Sequence, residues 1–124
     1  SIPYLRQICE AIDDVPITLF AKDAPHARQM LAALPCRTIG LDWCMDPIKS
    51  REIVGTSKVL QGNLDPAVLY GSEEVIRNET RKMLDRFGPY NHIANLGHGV
   101  YPDIDPENVR IFIDEVKVYS PALR

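Results

Sequence analysis

The chain has 124 residues, of which 45% are hydrophobic and 25% charged, with a net charge of −3. This is the composition of one small globular domain with a modest core, and it excludes disorder as the default state. Acidic and basic residues are interspersed, which leaves no basic footprint for nucleic acid, and no apolar stretch nears the ~20 residues of a membrane span.

The elements alternate along the chain. Residues 3–12 read as a helix, with Leu5, Ile8, Cys9 and Ile12 on one face. Residues 15–21 form a short apolar run typical of a strand. Asp23 is expected to cap a helix over 24–34, with Pro25 in its first turn. Residues 37–41 read as a second strand. Asp46 caps the following helix, Pro47 takes its first position, and Gly55 ends it. Residues 58–62 are the third strand. Ser72 opens a long helix with Val75, Ile76, Met83, Leu84 and Phe87 as its apolar face, ended by Gly88. Residues 90–96 are the fourth strand. Asp105 caps the last helix, whose face is Val109, Phe112, Ile113, Val116 and Tyr119.

Four strands, each followed by a helix, imply parallel pairing with right-handed crossovers. They amount to half of an eight-stranded barrel, whose full form takes ~250 residues. A four-unit doubly wound sheet fits the same string of elements. In either case the functional end is the carboxyl end of the strands. The whole of 1–124 is read as one partial domain, without repeat or linker.

The sharpest local signal is NLGHGVYPD, residues 95–103, between a strand and a helix. The glycines beside His98 allow positive φ and close approach of a ligand to the backbone. His98 at a strand end suits hydrogen bonding to a carboxylate, or proton transfer near neutral pH. In the second signal, residues 61–66, Gln61 and Asn63 offer amide donors and Gly62 offers room; the competing reading is a turn held by Asn63 or Asp65. Asp42 either anchors a ligand N–H or sits buried on backbone N–H groups, and Trp43 either lines a pocket or plugs the core. Lys22 reads as solvated. His26 and His92 read as structural, and with His98 they show no metal-ligand spacing. Arg77, Arg81, Lys82 and Arg86 read as a solvated helix face. Cys9, Cys36 and Cys44 lack paired spacing, which points to free thiols and a reduced, intracellular compartment. Residues 1–4 carry no secretion signal.

With these residues in view, the stretch 16–114 resembles the C-terminal half of the uroporphyrinogen decarboxylase family. The matching pieces are ITLFAKD at 17–23, IGLDW at 39–43, LQGNLDP at 60–66 with Leu69 and Tyr70, FGP at 87–89, and IANLGHGVYPDIDP at 93–106. Residues 120–124 resemble a natural C-terminus. The resemblance implies a (βα)8 barrel and a homodimer in the full-length enzyme, in the cytoplasm or a plastid. It implies decarboxylation of the four acetate side chains of uroporphyrinogen to give coproporphyrinogen in haem biosynthesis, without metal or organic cofactor. It carries one substrate-binding residue onto this chain, His98. Asp42, Gln61 and Asn63 fall in matching pieces and take supporting roles, and no catalytic residue is assigned. The family's central aspartate, N-terminal arginines, tyrosine and serine have no counterpart here, so the chain is expected to be inactive alone. Two alternatives stand beside this one. One is a half-barrel that binds porphyrinogen, or serves as an interaction module, without catalysis. The other, ranked well below, is a zinc methyltransferase of the related barrels.

Overall fold

The structure, a computed structural model, describes residues 1–121. The end of the stretch 120–124, read above as a natural C-terminus, therefore lies outside the described residues. The elements run α1 (Ile2–Ala11), β1 (Thr18–Phe20), a 3-10 turn (Pro25–Ala27) continued by α2 (Arg28–Ala32), β2 (Thr38–Gly40), α3 (Pro47–Val54), β3 (Val59–Leu64), a second 3-10 turn (Pro66–Tyr70), α4 (Glu73–Phe87), β4 (His92–Leu96) and α5 (Pro106–Val118).

The strands form one parallel sheet in chain order, β1-β2-β3-β4. A doubly wound sheet reverses its order at a switch point, and this one does not. With every crossover of one hand, all helices fall on the same face. The helices do pack as successive neighbours, α2 on α3, α3 on α4 and α4 on α5. This is the layout of four consecutive units of a (βα)8 barrel.

Register makes the two faces of the sheet unequal. Leu19, Ile39 and Leu60 pair across the strands and are buried beneath the helices, and His92 continues their row. One residue further on, Phe20, Gly40, Gln61 and Ile93 share the opposite face. There Phe20 is 48% and Ile93 46% exposed. That face corresponds to the interior of a closed barrel, and it stands open. At the amino ends of the strands Arg51 gathers the chain. Its Nη1 donates to the Gly55 and Lys58 carbonyls at 3.0 and 2.7 Å, and its Nη2 donates to the Asn91 carbonyl at 2.9 Å.

Helix starts follow local chemistry. Asp46 accepts from the Ile48 N–H at 2.8 Å, Ser72 from Val75 at 3.3 Å, and Asp105 from Glu107 at 2.9 Å. Asp23 departs from this pattern. Its φ is +56°, and its N–H is committed to Asp42, so it forms the turn after β1 and leaves the uncapped helix to begin in 3-10 form. The first strand is shorter than the apolar run 15–21. Pro16 has no N–H for a ladder, and pairing begins where the Ile17 carbonyl accepts from Arg37 and Thr38.

Three expected apolar faces are narrower than their periodicity. On α1 Cys9 is buried, whereas Ile8 and Ile12 are exposed. On α4 Val75 faces out, and Thr80 fills a core position with its hydroxyl bonded to the Ile76 carbonyl at 2.6 Å. On α5 Ile113 is exposed while Glu115 is buried.

That carboxylate corrects the reading of Arg77 and Arg81 as solvated. Arg77 Nη1 donates to Glu115 at 2.9 Å, and Arg81 Nε donates to its other oxygen. Burial pushes the Glu115 carboxyl upward, but its bonds to Arg81 and Arg77 outweigh that and hold it below the usual carboxylate range. Arg86 is likewise paired, to Asp46 at 2.7 Å.

Candidate functional site

The loops leaving the carboxyl ends of the strands converge on Asp42, which is fully buried. One carboxylate oxygen accepts from the Asp23 N–H at 2.7 Å and the other from the Trp43 N–H at 2.8 Å. The Asp42 carbonyl accepts from Asn63 Nδ2 at 2.8 Å, and the same amide nitrogen donates to the Met45 carbonyl at 2.7 Å. Asp42 therefore ties the loops after β1 and β2 to the carboxyl end of β3. The competing reading of Asp42 describes the contacts seen: a buried carboxylate on backbone N–H groups, with no surface toward a ligand. Both amide hydrogens of Asn63 are engaged in the same way. Asp65 accepts from the Ala67 N–H at 2.9 Å and starts the 3-10 turn.

The loop after β4 joins this hub by contact. A Cβ on Gly97 would lie 2.3 Å from the Trp43 nitrogen and 2.6 Å from its Cα. The glycines beside His98 thus differ from expectation, since neither has a positive φ. Gly97 is bare because the Trp43 backbone presses on it, and the space around Gly99 is open. At Gly62 (φ +140°) the approaching group is the Leu41 carbonyl, 2.8 Å from where a Cβ would sit. In both places the close neighbour is backbone.

Between these loops and the open sheet face lies a hollow of about 260 Å³, lined by Phe20, Gln61, Asn95, Leu96 and His98 among others. The Gln61 amide makes no hydrogen bond among the described residues. The His98 ring is half-buried, and its Nδ1–H donates to the Gly99 carbonyl at 2.9 Å. A carbonyl only accepts, so this bond fixes the proton on Nδ1 and leaves Nε2 for a ligand. The ring also meets Tyr101 edge-on, with centroids 5.5 Å apart.

Tyr101 stacks on Tyr70 at 6.0 Å, and the Tyr70 hydroxyl donates to Asp103 at 2.5 Å. That bond pushes the phenol up to about 12. Sequence reasoning gave Tyr70, Tyr101 and Asp103 no role. Tyr70 ends a 3-10 turn after β3 and its partners follow β4, so no local spacing joins them.

A larger groove, about 440 Å³, runs between the loop after β2 and α4, lined by Trp43, Cys44, Asp65, Met83 and Arg86 among others. Trp43 is half-exposed there and does not plug the core. His26 and Lys22 are exposed. His92 stacks on Phe87 at 3.8 Å, and its Nε2 bonds the Gly62 carbonyl at 2.7 Å; burial pulls its pKa down. All three cysteines are free, with Cys9 and Cys36 buried and Cys44 exposed. Among the described residues no three His, Cys, Asp or Glu side chains gather as metal ligands, and no helix is long and apolar enough to cross a membrane.

A family model described as uroporphyrinogen decarboxylase (URO-D) matches residues 1–119. The chain belongs to the uroporphyrinogen decarboxylase family. It is 46% identical to the human uroporphyrinogen decarboxylase, with all of this chain and 36% of the relative covered. It is equally 46% identical to that of Salinibacter ruber, over 99% of this chain and 36% of the relative. The chain thus spans about a third of the length of these relatives. Among solved structures it is similar to a methyltransferase from Methanosarcina mazei, with a TM-score of 0.79 over 94% of this chain and 34% of that one. Their identity is 18%, so that likeness concerns the fold alone.

Proposed function

We propose that this chain forms the C-terminal part of a uroporphyrinogen decarboxylase, which converts uroporphyrinogen to coproporphyrinogen by removing the carboxyl groups of four acetate side chains. Family membership supports the reaction class. The observation that carries the site is His98 at a strand end, with Nδ1 committed to Gly99 and Nε2 left for a ligand, beside a hollow on the inner sheet face. In this reading His98, once Nε2 also carries a proton, donates from that nitrogen to a substrate carboxylate, and the Gln61 amide supports the same hollow. Asp42 and Asn63 hold the loops that carry it. Protonation of a pyrrole carbon turns the ring into an electron sink, CO2 leaves to give an exocyclic methylene, and protonation of that methylene with loss of the ring-carbon proton gives the methyl group and restores the pyrrole. Positioning and preorganised charge supply the rate, without metal or organic cofactor.

The open inner face and the share of the relatives' length that is covered support one further statement. The chain supplies only part of the active site, and it is inactive without four more βα units. From the family resemblance we also infer that the parent enzyme is a homodimer of the cytoplasm or a plastid that binds neither nucleic acid nor membrane. The test is turnover of uroporphyrinogen by the full-length protein that contains this chain, with and without His98→Ala. The expected result is coproporphyrinogen formation by the parent and a loss of about tenfold or more in the variant, with circular dichroism unchanged. Unchanged turnover removes His98 from the site, and a parent that forms no coproporphyrinogen removes the activity.

A further inference from the structure

We propose that Tyr70 and Asp103 form a latch that positions the His98 ring, with Tyr70 as a positioning residue acting through Tyr101. The inference deepens the functional reading above and rests on it for its kinetic arm.

The loop over residues 97–105 leaves β4 at the hub and reaches α5. Its near end is fixed where Gly97 meets the Trp43 backbone. Its far end is fixed twice on the 3-10 turn after β3. The Tyr70 hydroxyl donates to Asp103, and Asn108 Nδ2 donates to the Leu69 carbonyl at 2.8 Å. Between these ends the rings form an unbroken path. Tyr70 lies over Tyr101 with 20° between their planes, and the edge of Tyr101 meets His98 at 78°. Offset stacking and edge-to-face contact are the arrangements that aromatic quadrupoles favour, so each ring restrains the next.

The latch is poorly placed to serve stability. Tyr70 is 53% and Tyr101 41% exposed, so neither contributes much to the core. A hydrogen bond at the surface exchanges with water at little net gain. What the bond does achieve is to fix an otherwise mobile phenol, and through it Tyr101, against one side of the imidazole. The other constraint on His98 is a bond to its own neighbour, Gly99, which moves with the loop and sets the ring's tautomer but not its place over the hollow. The position of Nε2 relative to Gln61 and Phe20 then depends on the latch. Both members lie at carboxyl ends of adjacent strands, where placing one side chain within a fraction of an ångström governs reactivity.

The test uses the full-length protein that contains this chain, labelled at histidine with ¹⁵N, and the variants Tyr70→Phe and Asp103→Ala. Tyr70→Phe keeps the stacked ring and removes only the hydroxyl. The expected spectrum shows one sharp set of His98 ring signals in the parent and shifted or exchange-broadened ring signals in each variant, with the Nδ1–H tautomer kept by the Gly99 carbonyl. Coproporphyrinogen formation is expected to lose about tenfold in kcat/KM for each variant, with melting temperature unchanged, and to lose nothing further when Tyr70→Phe is added to His98→Ala. His98 ring signals that match the parent in both variants overturn the proposal, as does an equal kinetic loss with and without the imidazole. The ring signals decide the latch even in a protein that does not turn over uroporphyrinogen, so failure of the functional reading is seen separately in the parent's activity.

Discussion

Replacing Gly97 with alanine tests whether the hub and the His98 loop act as one piece. The added Cβ would lie 2.3 Å from the Trp43 nitrogen and 2.6 Å from its Cα, about 1 Å short of ordinary contact. Both neighbours are backbone, and the Trp43 N–H is held by the buried Asp42 carboxylate, so the tryptophan side cannot yield cheaply. The loop after β4 has to move instead, and His98 is the next residue. The cost in stability is that of overpacking a well-packed site, about 1–3 kcal/mol. A displacement of ~1 Å at a reacting group costs up to about 100-fold in rate. Gly99→Ala is the control: it flanks the same histidine, has nothing within 4 Å of its added Cβ, and needs no positive φ. Urea melts and coproporphyrinogen formation on the full-length protein read both quantities. Gly97→Ala should lose stability and most of its activity, and Gly99→Ala should melt like the parent. A Gly97→Ala protein that melts and turns over like the parent, or a Gly99→Ala protein equally destabilised, refutes the reasoning.

Asp42→Ala leaves the Asp23 and Trp43 N–H groups without their acceptor and should cost about 2–4 kcal/mol in a urea melt; a change under about 0.5 kcal/mol would mean that the hub is not held by this carboxylate. Glu115→Gln removes the charge between Arg77 and Arg81 and should cost about 2 kcal/mol at pH 7, discounted because Arg81 is half in solvent. Because the folded-state pKa of Glu115 is depressed, its contribution is complete above its unfolded-state value of ~4.3 and is lost as pH falls through the lower folded value. The stability gap between parent and Glu115→Gln should therefore close below about pH 4, and a gap that is constant down to pH 2 would sink the ion-pair account.

The order of strands and helices was legible in the sequence because each signal is local. Asp46, Ser72 and Asp105 bond N–H groups two or three residues ahead, and Pro47 and Pro106 begin helices wherever the chain goes. The strand-end place of His98 was legible for the same reason, from a short apolar run and the glycines after it. The faces of α1 and α5 were less so, because periodicity shows which residues can be buried and not how much of the neighbouring surface is there to bury them.

The choice between a doubly wound sheet and half a barrel needed the strand order, since both have the same string of elements. The site's supports also lay beyond any spacing rule. Asp42 reaches 19 residues back to Asp23, Asn63 reaches 21 back to Asp42, and Tyr70 reaches 33 forward to Asp103. The sequence determined four βα units and the histidine that follows the last strand, because propensities and caps act within a turn of chain. Tertiary structure alone decided what holds that histidine, because the parallel strands bring to one end loops that the intervening helices keep far apart in sequence.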